Sequence, residues 1–291
     1  MSYAPLDDFI APARPRSEIW RTFVGFLVAL GLYAGGAWAI IVGGGLLLSD
    51  IMSPGDLAAG ETPPAVLLLL FHFLAMAAAV LIATRVIHRR PALSLLGDRD
   101  RLWRDFLSMA GVTLVFAALG AIIAVLMGDV TGRMPFRTWL LFLPLALPLV
   151  LLQTGAEELV FRGYLMQQLG ARFGAGARVA WMIVPALLFT VAHADLGNQG
   201  SNLWAVMAVI MLFAIISADV TARTGSIGAA WGLHFVNNVQ ALLIISVLGP
   251  LSGLSLGTLG GTAASPEVLP LFAADALGLI LIYVVWRRLY G

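Results

Sequence analysis

Residues 139–163 read WLLFLPLALPLVLLQTGAEELVFRG, an apolar run that ends in two adjacent acids and an arginine. About 20 apolar residues are enough for a helix to cross a bilayer. A charged side chain inside such a helix costs at least a few kcal/mol, so its presence indicates a functional site. The stretch therefore predicts a membrane helix that places Glu157 and Glu158 in apolar surroundings, with Arg162 one turn beyond Glu158.

The composition of the whole chain agrees with a membrane protein. Of its 291 residues 60% are hydrophobic and 11% charged, and the mean hydropathy is +0.94. A soluble domain carries roughly a quarter charged residues, so the excess apolar surface has to face lipid. The absence of cysteine excludes disulfides, thiolate nucleophiles and cysteine-bound metals. The net charge of +1 and the lack of a basic face exclude a nucleic-acid partner.

Apolar segments long enough to cross a bilayer recur along the chain. They lie at about residues 20–48, 64–87, 106–127, 139–161, 178–194, 203–222, 226–248 and 269–287. We therefore predict an all-α, polytopic integral membrane protein with about eight transmembrane helices. Residues 1–19 are predicted to be a cytoplasmic N-terminal leader. Residues 20–291 form a single helical membrane domain, with a motif-bearing core at about 139–248.

The distribution of arginine predicts the orientation. The chain contains no lysine, and with the N-terminus inside, 15 of its 17 arginines fall on the inner side of the membrane. Only Arg133 and Arg137 fall outside. The positive-inside rule thus favours cytoplasmic N- and C-termini. Abundant alanine, glycine and arginine without lysine are typical of a bacterial genome rich in G and C, which predicts a multi-pass protein of the inner, cytoplasmic membrane.

The fourth and fifth helices are predicted to form an antiparallel hairpin with its turn at residues 172–178. Glu157 lies 18 residues before Ala175, and His193 lies 18 residues after it. Equal distances along two antiparallel helices bring the two side chains to the same height. His234 and Asn238 lie one turn apart on one face of the seventh helix. We expect these helices to form one site.

The expected site has the side chains that hydrolysis needs. A glutamate removed from bulk water can act as a general base, and a histidine opposite it can share and orient one water molecule. An imidazole and a carboxamide can donate hydrogen bonds to the negative oxygen of a tetrahedral intermediate. Arg162 is expected to keep Glu158 ionised, which leaves Glu157 for the water. Peptide hydrolysis inside the membrane fits this set.

Three motifs also resemble those of a known family. The runs EELVFRG at 157–163, FTVAH at 189–193 and HFVNN at 234–238 resemble the EExxxR, FxxxH and HxxxN motifs of CPBP-type intramembrane proteases, also called the ABI family. That family includes the CAAX prenyl endopeptidase and bacterial proteins assigned to bacteriocin immunity. The resemblance covers about residues 150–240.

The resemblance implies an endopeptidase that cuts a membrane-associated peptide or protein near the cytoplasmic leaflet. In such an enzyme Glu157 and His193 activate the water, while His234 and Asn238 form the oxyanion hole. Supporting positions are Glu158, Arg162 and Phe189, of which Phe189 is expected to pack at the wall of the site. The substrate, prenylated or not, is expected to lie in or on the lipid bilayer.

Two other functions stay open from the sequence. Glu157, His193 and His234 could hold zinc with one coordination position free, which would make the protein a metalloprotease. None of the motifs is the HExxH pattern that places two ligands on one helical turn, so a mechanism without a metal cofactor is favoured. A non-catalytic immunity or scaffold protein is the alternative from a different class.

Four further features of the sequence are predicted to have structural rather than chemical roles. His72 is read as a buried or interfacial histidine, Asn237 as a helix contact, and Asp275 as an acid that favours the dipole at the start of the last helix. Pro144 and Pro148 are expected to kink the fourth helix and to open a cavity in front of the acids.

Overall fold

The computed structural model describes residues 3–290, so the first two residues of the predicted leader and the last residue of the predicted membrane domain lie outside it. The chain is mostly α-helical. Its helices are α1 Ala4–Ile10, α2 Ile19–Leu47, α3 Pro54–Ala59, α4 Pro63–Phe71, α5 Phe73–Val86, α6 Arg99–Met127, α7 Phe136–Glu158, α8 Gln167–Phe173, α9 Val184–Ala192, α10 Leu203–Thr224, α11 Gly228–Val239 and α12 Leu269–Tyr290. Single turns of 3₁₀-helix and three π-helical segments connect several of them.

Within residues 3–290, six helical stretches are long and apolar enough to cross a membrane. They are Ile19–Leu47, Pro63–Val86, Arg99–Met127, Phe136–Phe173, Gly200–Thr224 and Pro266–Tyr290. The fifth predicted segment forms a shorter apolar helix, Val179–Ala192. The seventh forms α11 and a π-helical segment, Gln240–Ile244. The protein is thus a mostly helical, multi-pass membrane protein, while the count of eight spans and the orientation stay predictions.

A small three-stranded sheet joins the connection between α6 and α7 to the connection between α11 and α12, and the sequence did not predict it. Its strands are β1 Val130–Gly132, β2 Ile245–Leu248 and β3 Gly257–Thr262. The central strand β3 runs antiparallel to β1 and parallel to β2. The prediction that the seventh helix continues to residue 248 is wrong, because the backbone becomes extended at Ile245 and pairs with the glycine-rich chain that returns beside it.

Residues of the predicted leader fold back onto the helices. In α1, Leu6, Phe9 and Ile10 are buried in a core that also contains side chains of α8, α10 and the segment before α9. The hydroxyl of Tyr3 donates a hydrogen bond to Asp219 in α10. This segment therefore forms part of the folded domain.

Two glycines let α11 approach α6 closely. A Cβ at Gly228 would lie 2.1 Å from the carbonyl oxygen of Leu102, and one at Gly232 would lie 2.3 Å from that of Phe106. Small residues one turn apart allow such close packing of membrane helices. Because His234 follows Gly232 by two residues, the contact with α6 fixes the position of this histidine.

The indole of Trp231 joins α11 to α7. Its Nε1 donates to the carbonyl oxygen of Leu151 at 3.1 Å and lies 3.2 Å from the hydroxyl of Thr154. The ring lies against Gly155, where a Cβ would come within 2.8 Å of it. Glu157 and Glu158 follow directly on α7, so this contact brings the two motif-bearing helices together.

Pro144 and Pro148 lie inside α7, which is continuous from Phe136 to Glu158. They border an apolar cavity of about 580 Å³, lined by residues of α7, of α4 and of the connection that follows α2. Neither Glu157 nor Glu158 lines it. The expectation that the prolines open a cavity in front of the acids is therefore wrong.

Candidate active site

The two adjacent glutamates lie where the helix changes its winding. Glu157 and Glu158 are the last residues of α7, and the chain continues as a π-helical segment, Leu159–Met166, before α8 begins. π-Helical turns occur often at functional sites. The two side chains are 5% and 0% exposed. Since successive helical residues point about 100° apart, each acid meets different neighbours.

Glu158 connects a guanidinium to an imidazole. Its Oε1 accepts from Nη1 of Arg162 at 3.0 Å and lies 2.8 Å from Nδ1 of His234. All three residues are buried. The guanidinium of Arg162 also lies over the ring of Phe189, 4.6 Å from its centroid. The structure thus gives Glu158 the paired environment that the sequence suggested.

Glu157 faces the two histidines. Its Oε1 accepts a hydrogen bond from Nε2 of Gln153 at 2.8 Å. Its Oε2 has no hydrogen-bond partner among residues 3–290. That oxygen lies 3.8 Å from Nε2 of His193 and 3.5 Å from Nε2 of His234. The fold therefore brings together residues that are 36 and 77 positions apart in the sequence.

The neighbours of the two imidazoles indicate which nitrogen carries hydrogen. Nδ1 of His193 lies 2.8 Å from the carbonyl oxygen of Phe189, which can only accept. Nδ1 of His193 is therefore the donor, and in the neutral ring Nε2 presents its lone pair towards Glu157. Nδ1 of His234 donates to the Glu158 carboxylate in the same way. His193 is 35% exposed on its side chain, so water can reach it.

Asn238 is linked to Glu157 through a residue that the sequence reasoning missed. Its Nδ2 donates to Oε1 of Gln153 at 2.8 Å, and the amide of Gln153 in turn donates to Glu157. Gln153 lies one helical turn before Glu157, a spacing that places both on one face. That spacing was the available signal, but no motif singled this residue out.

A cavity of about 130 Å³ opens beside the histidines. It is lined by Phe189, His193, Val209, Ile210, Phe213, His234, Asn237, Asn238, Asp275 and Leu279. Asn237 borders this cavity, so the interpretation of its side chain as a helix contact is not supported. Phe189 packs between Phe161 and His193, with ring centroids 5.0 Å and 4.4 Å apart.

His72 lies outside this cavity, at the junction of α4 and α5. Its Nε2 lies 2.9 Å from the hydroxyl of Tyr33, and its Nδ1 contacts the carbonyl oxygen of Leu69. The pair is thus a polar contact between α2 and the α4–α5 junction.

Glu157, His193 and His234 are also the candidate ligands of a zinc ion. Two imidazole Nε2 atoms and a carboxylate oxygen are donor types that zinc accepts. Within residues 3–290, however, no three histidine, cysteine, aspartate or glutamate side chains form a group that could hold a metal ion. The mechanism without a metal stays a prediction, and a zinc site at Glu157, His193 and His234 stays its alternative.

These features define a class of protein: a helical membrane protein with a buried polar site of glutamate, histidine and asparagine. The family model described as "Type II CAAX prenyl endopeptidase Rce1-like" matches residues 137–240, which include all of these site residues. The uncharacterized protein YyaK of Bacillus subtilis (strain 168) is 32% identical in an alignment of 255 residues that covers 83% of this chain and 83% of YyaK.

The chain belongs to the Rce1-like family of type II CAAX prenyl endopeptidases, which is a family of proteases. No solved structure matches it.

Proposed function

We propose that the protein is an intramembrane endopeptidase that hydrolyses a peptide bond of a membrane-associated peptide or protein. The observation that carries the proposal is the unpartnered Oε2 of Glu157, which faces Nε2 of His193 at 3.8 Å and Nε2 of His234 at 3.5 Å. A water molecule hydrogen-bonded to the glutamate and to His193 is held for attack on a carbonyl carbon.

In the first step Glu157 takes a proton from this water while His193 orients it through Nε2. The water oxygen forms a bond to the peptide carbonyl carbon, and the carbonyl oxygen becomes an oxyanion. A positioned general base contributes about 10²–10⁴-fold to such a step. Gln153 holds the other oxygen of Glu157 at 2.8 Å, so the carboxylate keeps its orientation during the transfer.

His234 and Asn238 are the proposed donors to the oxyanion. In its protonated form, His234 donates to the oxyanion through Nε2–H while its Nδ1–H stays on the carboxylate of Glu158. The removal of one such oxyanion donor costs roughly 10²–10³-fold in rate.

In the second step the intermediate collapses and the carbon–nitrogen bond breaks. Glu157 gives the proton taken from the water to the departing nitrogen, which leaves as an amine. The other fragment leaves as a carboxylic acid, and the second proton of the water departs from this acid when it ionises. The cycle is thus complete with one water consumed and the residues returned to their initial state.

We propose that this chemistry proceeds without a metal cofactor. In the alternative, Glu157, His193 and His234 would hold a zinc ion, which would act as a Lewis acid on the attacking water. We further propose eight membrane spans with both termini cytoplasmic, in the inner membrane of a bacterial cell, since 15 of the 17 arginines then lie inside. The substrate, prenylated or not, reaches the site from the bilayer.

The test is a cleavage assay with purified protein in liposomes and a pooled set of quenched peptides, with and without a lipid group. Wild type, Glu157→Gln, and wild type with a strong zinc chelator are compared. Glu61→Gln serves as the control, because Glu61 lies in the connection before α4, away from the site. We expect cleavage by wild type, the control and the chelated protein, and none by Glu157→Gln.

Equal cleavage by Glu157→Gln would overturn the proposed base. Loss of cleavage on chelation alone, restored by zinc, would favour the metalloprotease. Peptide binding to a folded wild type that cuts nothing would favour the non-catalytic scaffold.

A further inference from the structure

The last helix carries an exposed acid in line with its buried face. Asp275 shares this face of α12 with Leu279, Ile282 and Trp286, at spacings of four, seven and eleven residues. These positions lie within about 60° of one another around a helix. The three apolar side chains are 6%, 7% and 1% exposed, so the face is turned towards the protein. Asp275 continues it at the rim of the cavity.

The carboxylate of Asp275 lines the same cavity as His193, His234 and Asn238. No hydrogen bond or ion pair joins it to another side chain among residues 3–290. The side chain of Asn237, also on the cavity wall, likewise has no hydrogen bond within these residues. Two groups that can accept hydrogen bonds thus face the space next to the site residues.

The cavity offers no positive side chain to Asp275. No arginine lines it, and the chain has no lysine. Arg162, which lies behind Phe189, is held by Glu158 at 3.0 Å. A role for Asp275 in the helix dipole is also excluded, because α12 begins at Leu269 and the dipole acts within the first turn.

An unpaired acid inside a membrane segment is costly and marks a place where a partner of opposite charge binds. We propose that Asp275 and Asn237 form a subsite for a positively charged side chain of the substrate, lysine or arginine, close to the bond that is cut. This inference rests on the proposed function. The ammonium or guanidinium donates to the carboxylate of Asp275 and to the carboxamide oxygen of Asn237.

The same subsite disfavours a negative group. An aspartate or glutamate side chain of the substrate in this cavity would meet the like charge of Asp275, which repels it. The proposed substrate is therefore a peptide or protein segment with a basic residue close to the bond that is cut.

The test compares matched peptides that carry lysine, arginine, norleucine or glutamate at each position within three residues of the bond cut by wild type. The proteins are wild type, Asp275→Asn, Asp275→Arg and the control Glu267→Gln. Glu267 precedes α12 and does not line the cavity, so its substitution removes an acid from the same end of the helix.

At one of these peptide positions, we expect wild type and the control to cut the basic peptides with a kcat/KM roughly ten- to a hundredfold higher than that of the norleucine peptide. This factor corresponds to the free energy of one charge-assisted hydrogen bond. Asp275→Asn should lose most of this preference while still cutting the norleucine peptide. Asp275→Arg should prefer the glutamate peptide. Cleavage by wild type with no preference for basic peptides at any position would overturn the subsite and leave the proposed function intact.

Binding to the Glu157→Gln variant provides a measurement that does not depend on cleavage. Labelled peptides of the same set are titrated onto Glu157→Gln and onto the double variant with Asp275→Asn. We expect the single variant to bind the basic peptides at least about tenfold more tightly than the norleucine peptides. The double variant should bind both kinds of peptide equally. Equal binding of basic and neutral peptides, equal binding to both variants, or no binding of any peptide would overturn the subsite, even if wild type cut no peptide.

Discussion

Nδ1 of His234 lies 2.8 Å from Oε1 of Glu158, and the same oxygen accepts a hydrogen bond from Nη1 of Arg162 at 3.0 Å. One carboxylate oxygen therefore holds a side chain of α11 and a side chain of the π-helical segment. Oε2 is unpartnered among residues 3–290 in both glutamates, but Glu157 has no such ion pair with arginine, and its Oε2 faces Nε2 of His193 and of His234. Two adjacent residues of the same type thus serve different purposes, one in holding the site together and the other in the proposed chemistry.

Substitution of Glu158 is expected to affect stability more than substitution of Glu157. Glu158→Gln leaves the buried guanidinium of Arg162 without its counter-charge, which should cost about 3–5 kcal/mol in the free energy of unfolding. Glu157→Gln keeps a hydrogen-bonding group next to Gln153 and should cost about 1 kcal/mol. Thermal unfolding of the two variants and wild type in the same detergent measures both losses of stability. Equal losses of stability would contradict the division between the two acids.

Gln153 is expected to be a positioning residue. Its carboxamide accepts from Asn238 and donates to Glu157, each at 2.8 Å, so Gln153→Leu releases the proposed base and the proposed oxyanion donor together. We expect kcat to fall by roughly tenfold or more, with little change in KM, because misplaced reacting groups lower the rate of the chemical step. The measurement is steady-state cleavage of a peptide that wild type cuts.

A matched control for this substitution is Gln168→Leu. Gln168 in α8 is also buried, but its side-chain nitrogen and oxygen have no hydrogen-bond partner among residues 3–290. Its replacement should leave kcat unchanged. If both leucine variants lost activity to the same extent, the effect would reflect burial of a glutamine rather than its position between Asn238 and Glu157.

The close contact at Gly232 between α11 and α6 is expected to hold His234 in its position in the candidate active site. Gly232→Ala places a methyl group against the carbonyl oxygen of Phe106, 2.3 Å away, and must push the two helices apart. Overpacking of this kind costs about 1–3 kcal/mol. Gly111→Ala in α6 is the control, because a Cβ there has no atom within 4 Å. Unfolding temperature and cleavage rate should fall for Gly232→Ala only, and an unchanged rate in that variant would show that α11 tolerates the shift.

The stability of the protein is expected to fall in acid because of His88. This histidine follows α5, is 2% exposed, and lies 2.7 Å from the hydroxyl of Tyr164 through Nε2. Burial lowers its pKa from 6.5 to about 4. As the pH falls through 6.5 the unfolded chain therefore binds a proton that the folded protein does not accept until about pH 4.

The loss of stability from this group should occur between pH 6.5 and about 4 and should reach roughly 3 kcal/mol, with no contribution from His88 above that window. Unfolding measured at pH 7.5, 6, 5 and 4.5 in wild type and His88→Gln should give a steeper decline for wild type. Parallel curves for the two proteins would show that other groups cause the acid sensitivity.

The sequence predicted those features that depend on periodicity and charge. The length of the apolar segments and the equal spacing of Glu157 and His193 about Ala175 are local properties of helices, and the structure brings the two side chains within 3.8 Å. The motif spacing also placed His234 and Asn238 on one face. Their catalytic roles stay predictions.

Other features could not be predicted, because they depend on which faces of the helices meet. In a helix that is apolar all round, lipid-facing and buried residues look alike, so the face shared by Asp275 and Leu279 was not visible. The partner of Gln153 lies 85 residues away. The pairing of β2 with β3 depends on a glycine-rich chain whose path the sequence pattern does not fix.

In the proposed enzyme, the position of Glu157 along the fourth membrane helix would set the depth at which a substrate has to be presented. Glu157 lies 21 residues from Phe136, or about 32 Å along the axis. That distance is close to the thickness of the hydrocarbon core of a bilayer, about 30 Å. A spanning substrate helix would therefore not have to unwind at its centre. Only its last turn at one face of the membrane has to open, and a helix that frays readily at that end should be cut faster than one that is capped there.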